Sequence, residues 1–232
     1  MIEFREAGVV APVGGARILE PISLTITEHH VSVIGANGSG KSTLARLINA
    51  LVLPTAGAVI VNGRETRRET TAVRRDVGFL FTDPTAQLLM PTAIEDVVLS
   101  LRRTVHGRDA RTAAALDHLA AFGLADKADV SVHSLSGGQK QLLALAGVLA
   151  VEPTVIVADE PTTLLDLRWR AHVDALIAAL PQQVVEVTHD LDAALRTDRT
   201  IVIDRGAVAF DGTPREAVRH YRRLMAATGG TP

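Results

Sequence analysis

The chain of 232 residues contains no cysteine, which excludes disulfide bridges and thiol chemistry and suits a reducing cytoplasm. It also lacks an apolar run of membrane-spanning length. The longest, Leu142 to Val151, has about ten residues where a transmembrane helix needs ~20. The opening residues, MIEFREAG, carry an early Glu and no apolar core of signal-peptide length. The chain is therefore expected to be soluble by itself, with any membrane role arriving through a partner. Nor does one sign of charge dominate. With 24 Lys and Arg against 26 Asp and Glu, there is no global electrostatic reason to expect nucleic acid as a partner. Internal repeats and low-complexity linkers are absent too, and 47% hydrophobic with 22% charged residues fits one well-packed domain or one domain with a closely attached lobe.

What is present is organised around Val31 to Thr43, VSVIGANGSGKST: a short apolar strand, a glycine-rich turn, and Lys41, Ser42 and Thr43 opening a helix. The turn Gly35-Ala36-Asn37-Gly38-Ser39-Gly40 removes Cβ atoms where the backbone must curl, so that successive N–H groups turn inward around an anion. A phosphate then sits at a helix N-terminus, where unpaired N–H groups and the positive end of the helix dipole favour it. Lys41 is placed to reach the β- and γ-phosphates of a nucleotide, Ser42 to ligate the Mg²⁺ that bridges them, and Thr43 to add a hydroxyl near the α-phosphate. The pattern by itself says only that a nucleotide binds, since kinases, GTPases and ATPases share it.

Three further stretches carry chemistry. Ser136-Gly137-Gly138-Gln139 precedes the helix former KQLLALAGVLA, so Ser136 and the N–H groups of the two glycines form a second anion site or, taken alone, an ordinary N-cap. Val155 to Ala158 reads as a strand buried on both faces that emerges at Asp159 and Glu160. There Asp159 is suited to hold Mg²⁺, and Glu160 to orient the water that attacks the γ-phosphate. Val184 to Thr188 is another strand, ending at His189, which is suited to contact a γ-phosphate. Strands ending at Gly35, Asp159 and His189 thus deliver phosphate-handling groups to one edge of one sheet.

Around these motifs the pattern predicts two antiparallel strands in residues 1 to 30, a helix from Leu44 to Leu53, a strand from Ala58 to Asn62, and a solvated basic hairpin over Arg64 to Arg75. A strand at Val77 to Phe81 leads into a loop broken by Pro84 and Pro91. At least two helices follow from Ala93 to Leu124, interrupted near His106-Gly107, and then strand–helix alternation implies a parallel sheet wrapped by helices. The last twenty residues read as a short helix and a glycine-rich tail.

On Walker-type GANGSGKST, LSGGQ, VIVADE, TTLLD and the strand ending in His189, the chain resembles the nucleotide-binding subunit of an ABC transporter from about Ile2 to Asp211. The resemblance implies an α/β fold: a P-loop NTPase ABC ATPase core with a parallel sheet, an N-terminal antiparallel β subdomain and an inserted α-helical subdomain at about 93–150, within a single nucleotide-binding domain, 1–232. It implies an ATP hydrolase using ATP and Mg²⁺, and a head-to-tail dimer, either a homodimer or a pair with a related ATPase. Each ATP would lie between Gly35 to Thr43 of one protomer and Ser136 to Gln139 of the other. Asp166 would link the two sites, and His189 would act as the switch histidine.

The segment DPTAQLLMPTAIEDV further resembles the ATPases of energy-coupling-factor importers, which take up vitamins and transition-metal ions, and Thr82, TTLLD, the short C-terminus and PQQVV look most like the biotin branch of that group. The alternatives are the ATPase of a cobalt/nickel or other vitamin importer, or a non-transport ABC ATPase acting on nucleic acid. The importer resemblance implies a peripheral protein on the cytoplasmic side of the cell membrane. Its partners would be a transmembrane coupling subunit, docked beside the loop from Phe81 to Asp96, and a substrate-binding membrane subunit, with no nucleic acid. Two positions depart from the family pattern: Thr82 stands where most members have Gln, and Pro12-Val13 stands near the usual adenine-stacking aromatic. Gln87 is a candidate to compensate for Thr82. The interval from Lys41 to Ser136 is too short for the coiled coil of a genome-maintenance ATPase, one cassette is too few for an ABC translation factor, and a small-molecule kinase has no use for LSGGQ. The stretch after Asp211 is too short for the regulatory domain of a methionine-type importer.

Overall fold

The computed structural model describes residues 1–227; the expected glycine-rich tail lies outside the described residues. In chain order the strands are β1 (Ile2–Val10), β2 (Arg17–Ile26), β3 (His30–Ile34), β4 (Ala56–Val61), β5 (Arg64–Glu65), β6 (Val77–Leu80), β7 (Val155–Asp159), β8 (Gln183–Val187), β9 (Arg199–Asp204) and β10 (Ala207–Gly212). The helices are α1 (Lys41–Ile48), α2 (Thr70–Asp76), α3 (Ala93–Ser100), α4 (Arg108–Ala121), α5 (Gly137–Leu149), α6 (Leu167–Ala178), α7 (Leu191–Ala194) and α8 (Pro214–Ala227). They belong to two compact units, one of Met1–Val77, Val155–Asp159 and Pro181–Pro232, the other of Gly78–Thr154 and Glu160–Leu180.

In the first unit an antiparallel sheet has the order β2-β1-β4-β5. Ile2 and Phe4 of β1 point inward opposite Ile26 and Leu24 of β2. The register shifts after Phe4, where Glu6 takes a left-handed φ of 47°, and this bulge lets the strand run on to Val10 with Ala7 and Val9 buried. The β4–β5 hairpin turns on Asn62 and Gly63, both left-handed at φ 50° and 82°, which is the two-residue turn matched to strand twist.

Only the first two residues of the basic stretch are hairpin; a helix, α2, takes up Thr70–Asp76, which corrects the expectation for Arg64 to Arg75. Its arginines are anchors. Arg74 donates to the Ala50 carbonyl at 2.8 Å, Arg67 to the Pro54 carbonyl, and Arg64 pairs with Asp76. Positive charge is thereby spent on carbonyls just past the end of α1. Helix α1 itself starts at Lys41 and stops at Ile48, short of the expected Leu53, because Asn49 leaves helical geometry and Ala50 turns left-handed at φ 59°.

The second sheet of this unit runs β10-β9-β3-β8-β7, with β3, β7, β8 and β9 parallel and β10 antiparallel at the edge. Its four parallel strands are buried on both faces, hence their near-continuous Val and Ile, whereas the edge strand β10 is partly exposed. The one polar residue inside β3 is satisfied: the Ser32 hydroxyl bonds those of Thr197 at 3.0 Å and Thr200 at 2.7 Å. Helix α8 is longer than the short helix expected and packs Ala217, Val218 and Tyr221 onto Ile34, Ala194 and Val202.

The second unit holds α3 to α6. Thr92 and Glu95 cap α3 reciprocally, and Gly107, at φ 90°, opens α4 at the interruption read from the sequence. Helix α5 is buried continuously from Gln141 to Ala146, which explains the apolar run that begins at Leu142.

One polar tie spans several elements of the first unit. Arg199 of β9, its side chain only 19% exposed, bonds Asp211 of β10 and, at 3.1 Å, Glu28 after β2. Burial raises the Glu28 carboxyl, but backbone N–H groups of Glu28 and Thr27 and the Arg199 guanidinium outweigh this and hold it below the usual carboxylate range. A depressed carboxyl adds stability that is complete above its unfolded value and is lost as pH falls through its folded value. Arg199→Ala is therefore expected to cost about 2 kcal/mol in chemical denaturation at neutral pH. The difference from the parent should shrink in acid, where the carboxylates protonate.

Candidate nucleotide site

In the first unit the phosphate loop follows β3 directly. Gly35 has a positive φ of 156°, and a Cβ there would overlap the Ile203 carbonyl oxygen and lie 2.8 Å from Ser39 Oγ. The loop folds back on itself through Ser39 N–H to Ala36 C=O at 3.2 Å and is held from outside by Gly206 N–H to Ser39 C=O at 2.9 Å. Gly40, left-handed at φ 106°, then turns the chain into α1. No side chain caps α1 and no acidic residue stands in its first turn, so the N–H groups of Lys41, Ser42 and Thr43 face an open cavity of about 200 Å³ lined by Ile18, Gly38, Gly40, Lys41, Ser42 and Thr43. Most helices fill that position with Ser or Asp. Its being left to backbone donors suits an incoming anion.

Lys41 is buried, and its ammonium donates to the Gly35 and Ala36 carbonyls at 2.9 Å each, which keeps it inside the loop. The Ser39 hydroxyl is buried with no hydrogen-bond partner, an orphan that a phosphate oxygen would satisfy. Ala36 is half-buried and Asn37 is exposed. Val13, at the β1–β2 turn, is 86% exposed and offers an aliphatic surface with no ring for stacking.

Parallel pairing aligns the rest. Asp159 lies opposite Val187, and Val187 opposite Val33, so β7, β8 and β3 end in one row. Asp159 is only 2% exposed, and the Ser42 hydroxyl donates to its Oδ1 at 2.9 Å. Its Oδ2 faces Arg46 at 3.6 Å. Arg46 escaped the sequence reading although the signal was there, since a residue four positions after Ser42 shares its helix face. Among the described residues no group of three or more His, Cys, Asp or Glu could hold a metal. One hydroxyl beside one buried carboxylate fits a cation that brings its own waters and phosphate oxygens, as Mg²⁺ does. His189 is exposed, two residues beyond Val187, where Thr188 Oγ1 accepts the Asp190 N–H and turns the chain into α7.

In the second unit Glu160, next after Asp159 in sequence, sits at φ 52°, a left-handed conformation worth about 1 kcal/mol of strain in a non-glycine residue. Its carboxylate accepts the Thr163 hydroxyl at 3.1 Å. Ser136 caps α5: its Oγ accepts Gln139 N–H at 3.3 Å while Gln139 Oε1 accepts Ser136 N–H at 2.9 Å. That bond uses the hydroxyl as an acceptor, so its proton can still be donated to an anion. The N-cap reading of SGGQ is thus observed. Gly137 is exposed and Gly138 buried. Asp166 caps α6 by accepting Trp169 N–H at 2.9 Å. Gln87, the candidate substitute for the missing Gln at Thr82, has its carbonyl oxygen 3.4 Å from the Phe81 N–H.

Residues 19–163 match the ABC transporter family. The chain belongs to that family. Among relatives, the biotin transport ATP-binding protein BioM of Rhizobium etli is 44% identical over 97% of this chain and 99% of its own length. The energy-coupling factor transporter ATP-binding protein EcfA1 of Symbiobacterium thermophilum is 40% identical over 95% of this chain and 79% of its own. Among solved structures, the ATP-binding cassette MJ0796, a dimer in a post-hydrolysis state bound to ADP and Pi, superposes with a TM-score of 0.82 at 32% identity, covering 93% of this chain and 99% of that one. The ABC ATPase fold expected from the sequence is thus observed. This ABC protein binds ATP and is an ATP-hydrolysing transporter subunit.

The glycine geometry separates two variants. Gly35→Ala is expected to abolish nucleotide binding and lower the melting temperature, because its Cβ meets backbone that cannot give. A Cβ at Gly38 meets nothing within 4 Å, so Gly38→Ala carries only the left-handed penalty of about 1 kcal/mol. Thermal unfolding of both, with fluorescent-nucleotide titration, checks the order.

Proposed function

We propose that this chain is the ATPase of an energy-coupling-factor importer that takes up a micronutrient, biotin, working as a dimer with two ATP molecules. The two compact units serve as one nucleotide-binding domain. The observation that carries the nucleotide half is the 2.9 Å contact between Ser42 and the buried Asp159 at the row of strand ends. A hydroxyl and a carboxylate are held together beside helix N–H groups and Lys41. The kinship of the whole chain with a biotin transport ATP-binding protein supports the importer half.

In this reading Gly35 to Thr43 hold the phosphates, and Lys41 moves from loop carbonyls to phosphate oxygens. Ser42 and Asp159 hold Mg²⁺, which when bound neutralises charge between the β- and γ-phosphates. Glu160 accepts a proton from the attacking water and orients it, and His189 contacts the γ-phosphate. Ser136, Gly137, Gly138 and Gln139 reach the ATP of the other protomer, and Asp166 couples the two sites. No described helix is long and apolar enough to cross a membrane. The chain acts from the cytoplasmic side through a transmembrane coupling subunit and a substrate-binding membrane subunit. The coupling surface is the loop from Phe81 to Asp96, whose Leu89 is 73% exposed while Asp96 fixes its backbone by accepting the Leu89 and Met90 N–H groups at 2.8 and 3.0 Å.

Lys41→Ala should lose ATP binding, and Glu160→Gln should bind ATP and accumulate as a dimer in size-exclusion chromatography with hydrolysis reduced at least a hundredfold. Hydrolysis by Glu160→Gln at the parent rate would remove Glu160 from its role. Thr82→Gln should keep nucleotide affinity within about twofold, since no role in binding is assigned to it. The transport assignment is tested by affinity purification from detergent-solubilised membranes. A coupling subunit and a biotin-binding membrane protein should co-purify; soluble or nucleic-acid-associated partners alone would leave an ATPase and remove the importer.

A further inference from the structure

The signature stretch contains two adjacent glycines that differ physically. A Cβ built on Gly137 meets only Leu165 Cδ2, at 3.9 Å, an ordinary contact. A Cβ built on Gly138 lands within the indole of Trp169, overlapping Cγ and Cδ2 and lying 2.6 Å from Cε2. Neither glycine has a positive φ, so backbone conformation is not why Gly138 must be glycine. It is buried, and the space its side chain would need is filled by the chain's single tryptophan. Trp169 is in turn fixed at the start of α6. Its backbone N–H donates to Asp166 Oδ1 at 2.9 Å, and its ring meets His172 edge-on with centroids 6.1 Å apart. The glycine-to-indole contact therefore joins the first turn of α5, which carries Ser136 to Gln139, to the first turn of α6, capped by Asp166.

We propose that Trp169 is the positioning residue of the signature: its indole, seated on Gly138, sets the first turn of α5 against the Asp166 loop, so that the two move as one piece when ATP engages Ser136. Gly138 is glycine to admit Trp169, whereas the Cβ position of Gly137 stays open. The proposal rests on the reading of Ser136 to Gln139 as an ATP contact. Trp169 touches no reacting atom, so it acts on turnover through the geometry of α5. A packing bearing of this kind gives three signs that a general loss of fold does not. The turnover number falls with the Michaelis constant for ATP preserved, because the phosphate loop lies in the other unit. A large flat side chain rescues. The glycine and the tryptophan are energetically coupled, since an added Cβ at Gly138 is harmful only while the indole occupies its place.

The test is steady-state ATP hydrolysis by the full-length chain and by Trp169→Ala, Trp169→Phe, Gly138→Ala, the Gly138→Ala/Trp169→Ala pair and Ser136→Ala, each checked for folding by thermal unfolding. Trp169→Ala is expected to lower kcat roughly tenfold with KM for ATP within about twofold. Trp169→Phe should recover most of the loss. The pair should turn over at least as fast as Gly138→Ala alone. If Ser136→Ala is impaired but the effects of Gly138→Ala and Trp169→Ala multiply independently, Trp169 is not what Gly138 accommodates, and this proposal falls alone. If Ser136→Ala hydrolyses ATP at the parent rate, the site reading itself fails and takes the proposal with it. Should Trp169→Ala reduce the melting temperature and leave kcat intact, Trp169 is only a packing residue and the proposal is overturned.

Discussion

Parallel strand pairing is the constraint on which the candidate nucleotide site depends. Three strands far apart in sequence, β3, β7 and β8, are locked in register, and because parallel strands share a direction their C-terminal ends must emerge together. A slip of one residue would turn each side chain to the opposite face and withdraw Asp159 from Ser42. The hydrophobic pattern prevents it, since strands buried on both faces have no alternative register that keeps a carboxylate at the rim and Val and Ile inside. The position of the buried carboxylate is therefore a consequence of packing.

The two helix starts bearing the glycine-rich motifs solve the orphan-donor problem in opposite ways. Helix α1 leaves its first N–H groups without a side-chain cap and places no acid nearby, which keeps a positive terminus for phosphate. Helix α5 carries a reciprocal Ser136–Gln139 cap that satisfies its first N–H groups internally, and the serine proton remains available. The first site is built by strand, loop and helix together, and the second by one helix turn resting on a tryptophan. Strain is placed accordingly. Glu160 holds a left-handed backbone where the strand carrying Asp159 ends, a conformation maintained by its surroundings at a position suited to chemistry.

Local physics also explains where sequence patterning fell short. The run from Leu44 to Leu53 has continuous helical periodicity, yet α1 stops at Ile48, where Asn49 leaves helical geometry and Ala50 turns left-handed, and the carbonyls of Ala50 and Pro54 beyond it accept from Arg74 and Arg67 of a later segment. The same arginines, solvated when read along the chain, are tertiary anchors. In β1 the apolar alternation breaks after Phe4, and a bulge at Glu6 lets the strand run on to Val10.

The α/β class, the antiparallel pair at the start, the interruption at Gly107, the glycine-rich loop ahead of α1 and the acidic pair at the end of β7 are all legible in the sequence. Each of these is written in local terms: a spacing of glycines, a period of two or of 3.6, a run of Val and Ile closing on carboxylates. Tertiary structure alone decided that Ser42 meets Asp159, that Arg46 faces the same carboxylate, that the basic stretch ties down the end of α1, and that Trp169 occupies the space a side chain at Gly138 would need. These contacts join residues separated along the chain or lying on different elements, and only the register of the sheet and the packing of helices bring them within reach. Composition and periodicity report what a segment prefers; which neighbour it finds is settled by close packing in three dimensions.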